Sequence, residues 1–151
     1  MVRKLNFDYK ECLKKGLLRK IPKSKAKSEK SIRTAFKWLE EAEKNLASDS
    51  FNSCLLSSYL AMFHSARAIL FYDGLREKSH ACIARYLEYA YAKKGLLEQK
   101  HINLLDHHRE IRHQGQYGVE FFATKEECKQ ALKTSKEFCS EMNKLLKIIN
   151  R

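Results

Sequence analysis

The chain has very little that would break a helix. Its 151 residues include one proline, Pro22, and five glycines. An all-β fold needs a turn every ten or so residues, and the turn formers for that are missing. Uninterrupted Leu, Ala, Lys and Glu instead predict long helices. The sequence also lacks a continuous apolar run of the ~18 residues that a membrane span requires. Asp8 and Glu11 interrupt the apolar stretches of the first twenty residues, which does not suit a secretory leader. No Gly-x-x-x-x-Gly-Lys phosphate loop and no Gly-x-Ser-x-Gly elbow occurs. Cysteine is sparse and unpaired in pattern. Cys12, Cys54, Cys82, Cys128 and Cys139 are odd in number, widely separated and never Cys-x-x-Cys. They read as buried reduced thiols, and the chain as cytoplasmic.

Acidic charge is in deficit: 18 Asp and Glu face 30 Lys and Arg, for a net charge of +12. A basic domain gains affinity for nucleic acid or acidic partners by releasing counterions. A surface rich in Lys and Glu also suits a thermophilic protein. Lys20, Lys23, Lys25, Lys27 and Lys30 face only Glu29 and surround Pro22. This segment reads as a solvated connector, or more sharply as a phosphate-contacting one. We therefore divide the chain into a basic N-terminal helix and connector over 1–23 and a helical bundle over 24–151.

Hydrophobic residues make up 44% of the chain, enough to bury a continuous core. A short helix is expected from Phe7 to Leu18, ending near Gly16. The first long helix should run from about Ser24 to Ala47, because Ala35, Trp38, Leu39, Ala42 and Leu46 form one stripe. Ser48-Asp49-Ser50 supplies a turn. The next helix, about Phe51 to Tyr72, is apolar on more than one face. It should therefore be central, or covered on one side by a second subunit. Gly74 suits the left-handed position that ends it. Ser79 is the candidate N-cap for a helix over Ala81–Lys94, stopped by Gly95. A further helix runs from Leu96 or Glu98 to about His113, with Gly115 and Gly118 bracketing a break. Thr124 with Glu127 makes a capping box for the last helix. The fold class is thus all-α, an antiparallel up-and-down bundle of four to five helices.

The histidines first raise the question of metal. Glu77-Lys78-Ser79-His80 and Glu110-Ile111-Arg112-His113 carry the Glu-x-x-His spacing of di-metal oxidase bundles. The first straddles a turn and a helix start, so no metal and no other cofactor is expected. The densest polar segment is His107 to Gly118. His108 and Arg112 share one helix face, and Arg109 and His113 another. Arginine offers a phosphate a bidentate fork, and histidine exchanges a proton near neutral pH. Metal-free RNA cleavage needs a base, a cation and an acid. A cationic helix end that complements the helix dipole would look the same.

Tyr59, Met62, Phe63, His64 and Arg67 on one helix, then Lys78-Ser79-His80, then Arg112-His113-Gln114-Gly115-Gln116-Tyr117, resemble HEPN-domain proteins of archaeal and bacterial type. The resemblance covers about Lys25 to Leu146. It implies a HEPN-like antiparallel bundle that forms a homodimer and pairs with a small nucleotidyltransferase, commonly as a toxin–antitoxin system. It also implies either nucleotide or RNA binding, or metal-independent ribonuclease activity. Ribonuclease members carry an Arg, a polar residue and a later His. Arg112 and His113 match the first two, and Tyr117 stands where the final His would fall. A phenol is a weak base at neutral pH, so binding is the primary reading and endoribonuclease the alternative. The expected motif residues are Arg112, His113 and Tyr117. Arg109, His108, Arg67, His64, His80 and Lys78 are the expected ligand contacts. Tyr117 is expected to fold back over the helix end after a bend at Gly115.

Overall fold

The computed structural model describes residues 8–118 and 120–150. The elements run α1 (Tyr9–Lys14), β1 (Leu18–Lys20), α2 (Lys25–Ala47), α3 (Phe51–Asp73), β2 (Leu75–Glu77), α4 (His80–Leu87), a π-helical turn (Glu88–Ala92), α5 (Gln99–Tyr117) and α6 (Lys125–Ile149). The expected all-α bundle is therefore present, with one small two-stranded ribbon added to it.

Local chemistry sets the long helices. Ser24 Oγ accepts from Lys27 N at 3.1 Å to open α2. Asp49, at φ 59°, turns the chain tightly into α3, so α2 and α3 pack as an antiparallel hairpin. Thr124 and Glu127 form the reciprocal capping box at the start of α6. The apolar helix takes the first of its two expected roles. α3 is central, packing against α2, α4, α5 and α6. By length and mean hydropathy, 1.3 over its best window, α3 is apolar enough to cross a membrane, contrary to the reading of short apolar runs. Its serines and tyrosines break the run without lowering the mean enough. Within the bundle 78% of that window is buried, as in a core helix.

The two sides of α3 are packed differently. Tyr59, Met62, Ile69 and Leu70 meet Ile83, Leu87, Ile102, Phe138 and Met142 in a core of large side chains. The other side sets small ones, Ala35, Ala42, Cys54, Ala61, Cys128 and Ala131, among Leu39, Leu55 and Leu132. Small residues let the helix backbones approach. The buried Ser31 and Ser135 hydroxyls then reach across to donate to the His64 and Ser58 carbonyls at 2.8 and 2.7 Å.

Four expectations need correction. The first helix is shorter than predicted. Of its expected span, Phe7 lies outside the described residues, and Gly16, at φ 70°, ends the helix so that Leu18 enters a strand. That strand pairs antiparallel with β2 in the register Leu18↔Glu77, Arg19↔Arg76 and Lys20↔Leu75. Second, Cys12 and Cys82, both fully buried, form a disulfide with Cα atoms 6.0 Å apart, so only Cys54, Cys128 and Cys139 are free thiols. Third, the helix expected over Ala81–Lys94 starts at His80 and widens into the π-turn after Leu87. Ser79 occupies its N-cap position without a side-chain capping bond. Fourth, α5 runs through Gly115 to Tyr117 and breaks only at Gly118. The Arg112–Gln116 bond, one turn apart at 2.6 Å, spans Gly115 and supports the helix there.

Candidate phosphate-binding site

One stripe of α3 carries Tyr59, Phe63 and Arg67 at four-residue steps. Helix geometry stacks them along one face. The ribbon then brings Glu77, and the start of α4 brings His80, onto that face. The His80 ring stacks on Phe63 with centroids 4.1 Å apart, and its Nδ1 lies 3.0 Å from the Tyr59 hydroxyl. Arg67 lies over the Phe63 and Phe71 rings at 5.4 and 5.0 Å, and its Nε is 2.9 Å from a Glu77 carboxylate oxygen. That contact is an ion pair without aligned hydrogen-bond geometry.

Helix α5 closes the other side with Asp106, Arg109 and Arg112 at three-residue steps. Asp106 is buried and accepts from two arginines, Arg109 Nη1 at 2.8 Å and Arg85 Nη2 at 2.5 Å. Arg112 lies over the Tyr59 ring at 5.3 Å and donates to the neutral Gln116 amide oxygen at 2.6 Å. Among the described residues it has no carboxylate partner, and its Nε is buried without a hydrogen bond. Neither Asp106 nor Glu110, the acidic neighbours on the same helix, pairs with it.

The electrostatics follow from this arrangement. Arg67 pairs with Glu77, Arg85 and Arg109 share Asp106, Arg85 also lies 4.0 Å from Glu88, and Arg112 has no carboxylate among the described residues. Burial, reinforced by Arg112, Arg67, Arg109 and then His64, lowers His80 to about 4. Its imidazole is therefore neutral at pH 7. Burial also lowers His64, with a further push from Arg67. Burial raises the Tyr59 hydroxyl well above the phenol range, and Arg112 and Arg109 offset only part of this. The hydroxyl stays protonated and can share a hydrogen with the His80 nitrogen.

Of the residues singled out from sequence, Arg67, His64, His80, Arg109 and Arg112 come together here. His113 and Tyr117 do not enter the cluster. Their rings contact each other at 4.9 Å on the exposed side of α5, with Tyr117 67% exposed. Tyr117 does not fold back over the helix end, because the helix continues through it. His108 faces elsewhere. It is buried in a cleft with Leu104, Ile111 and the α6 residues Gln130 and Thr134. Burial, with a smaller effect from His107, lowers it to about 4. Lys78 is exposed just beyond the ribbon. Sequence reasoning missed Tyr59, Arg85 and Asp106 as parts of the site. The Asp106, Arg109, Arg112 spacing was the available signal for the last of these.

Among the described residues no group of three or more His, Cys, Asp or Glu side chains is placed to hold a metal ion. Glu77 pairs with Arg67 and His80 with Tyr59, so the two Glu-x-x-His pairs do not share a centre.

The family model of the HEPN domain matches residues 28–145, most of the chain. The chain belongs to the HEPN family. It is also similar, at 26% identity over 133 residues, to a protein of Methanocaldococcus jannaschii described as a "putative toxin". The alignment spans 83% of this chain and 98% of that relative. The HEPN match covers α2 through most of α6, and so includes every element that contributes to the arginine cluster.

Proposed function

We propose that this HEPN protein is toxin-like and acts by binding RNA or a nucleotide through the Arg67, Arg109 and Arg112 cluster. The observation that carries this reading is the state of Arg112. A half-buried guanidinium without a carboxylate is incompletely compensated. Arg112 has the Tyr59 side chain, the Gln116 amide oxygen and a buried Nε without a hydrogen bond, and a phosphate would supply the missing anion through charge-assisted bonds. The net charge of +12 adds a long-range attraction of the same sign. The toxin-like description of the archaeal relative supports the biological setting. The reading extends to a homodimer that pairs with a small nucleotidyltransferase, as the family resemblance implies. Half-buried Leu56 and Leu60 on α3 offer apolar surface for a second copy, and Leu56 shares a cleft with Arg112. Light scattering at micromolar concentration should give twice the monomer mass. Co-expression with such a nucleotidyltransferase should yield a complex. RNA affinity measured against salt tests the binding itself. Each phosphate neutralised on a single strand should contribute about −0.7 to the log–log slope. A flat salt dependence, or no binding, would refute it.

His80 favours a second reading, metal-independent ribonuclease. A neutral imidazole hydrogen-bonded to a phenol and surrounded by guanidinium groups combines a proton acceptor with a cation. RNA incubated with the protein in excess chelator separates the two. Cleavage that disappears in His80→Ala supports the enzyme. Intact RNA that remains bound supports the binding protein.

A further inference from the structure

Arg85 has a second environment. Besides sharing Asp106 with Arg109, it lines a cleft of about 330 Å³ where α1 meets the π-helical turn. Tyr9 and Tyr89 stack there, with ring centroids 4.4 Å apart and planes inclined by 21°. Tyr9 is the inner ring, and Tyr89 is 43% exposed. Lys10, Lys93 and Lys94 line the same cleft and are all exposed. None of the three is in an ion pair among the described residues. The two acids present are engaged. Asp8 caps α1 through Glu11 N, and Glu88 accepts from Gln99.

An exposed aromatic face ringed by cations is what unpaired nucleic acid recognises. Bases stack on the ring, and phosphates run along the cations. We infer that this cleft is a second subsite for single-stranded RNA, in which a base stacks on the outer face of Tyr89 while Lys10, Lys93 and Lys94 hold the adjoining phosphates. The inference rests on the reading of the Arg112 cluster as a phosphate site, because Arg85 joins the two. Asp106 and Arg112 are ~9 Å apart along α5, and Arg85 and Tyr89 ~6 Å apart along their helix. These steps keep both subsites within reach of one short strand, whereas a mononucleotide fills one. The platform is held in advance of binding. The Cys12–Cys82 disulfide fixes α1, and with it Tyr9, against α4, so little order is lost when a base docks.

The test compares labelled oligouridine of about eight nucleotides with uridine monophosphate, by fluorescence anisotropy and calorimetry respectively. Tyr89→Ala should weaken oligouridine binding about 5- to 150-fold, the range for loss of one base stack, and leave the mononucleotide unaffected. Tyr89→Phe should bind oligouridine as the wild type does. Arg112→Ala should weaken both ligands. Wild-type affinity in Tyr89→Ala, alongside a loss in Arg112→Ala, overturns the second subsite and leaves the first standing. Equal weakening of both ligands by Tyr89→Ala means that the ring acts through the fold, and this also overturns the inference. If neither substitution matters, the phosphate-site reading fails and takes the inference with it.

Discussion

Removing the Cys12–Cys82 bond should destabilise the fold strongly, and the size of the loss can be worked out. The two cysteines are 70 positions apart. In the chain-entropy account, a loop of that length costs the unfolded state about 4 kcal/mol of conformational freedom at 25 °C. Both sulfurs are fully buried, so the bond also holds α1 and its neighbour β1 against the bundle. The double variant Cys12→Ala/Cys82→Ala, unfolded in urea beside the oxidised wild type, should lose about that amount. The uncrosslinked unfolded chain exposes more surface, so the slope should steepen while the midpoint falls. Thiol titration under denaturant gives an independent count. The unreduced chain should show three reactive thiols, from Cys54, Cys128 and Cys139, and the reduced chain all five. Five thiols without reductant, or an unshifted midpoint in the variant, would refute the reasoning.

Two further outcomes are expected. His108 is held neutral by burial, at about 4 against an ordinary 6.5. As pH falls the unfolded chain takes the proton first. The associated stability is therefore whole above about 6.5 and lost as pH drops towards 4, by roughly 3 kcal/mol. His80 adds to the loss in the same direction. Melting temperature across that range should decline, and His108→Gln should flatten the decline. Gly74 ends α3 at φ 85°, and a Cβ there would lie 2.8 Å from the Ile21 carbonyl oxygen. Gly74→Ala should cost about 1–3 kcal/mol in thermal unfolding, more than Gly16→Ala, where the added atom meets nothing within 4 Å.

Much of the bundle was legible because its signals are local. Ser24, the Ser48 to Ser50 turn, Gly74 and the Thr124/Glu127 box each act within a few residues of themselves, and the structure uses them at those positions. The ribbon was not legible. Leu-Arg-Lys and Leu-Arg-Glu are too short to show a period, and each finds its partner only once α3 has returned the chain. The disulfide was hidden for a related reason. Cys12 and Cys82 have no local pairing signature, and the ribbon is what brings their neighbourhoods together. The helix over Gly115 outlasted its glycine because its neighbours bond across it. Within the site, Arg67, Arg109, Arg112 and His80 could be picked out by residue type and by resemblance. Tyr59 belongs to the motif that carries the resemblance, but on an apolar stripe, at 2% exposure, it reads as core and not as a site residue. Only the fold shows that its hydroxyl and ring face His80 and Arg112.

The central claim is that Arg112 is kept for a phosphate and not for the fold. The direct measurement is RNA affinity and melting temperature, made side by side on wild type and Arg112→Ala. Loss of a charge-assisted contact predicts binding weaker by about 1.5–3 kcal/mol, with only a small fall in melting temperature, because the fold loses an exposed bond to Gln116 and a ring contact to Tyr59 but no ion pair among the described residues. A lowered melting temperature with RNA affinity intact would contradict the account and make Arg112 a structural residue.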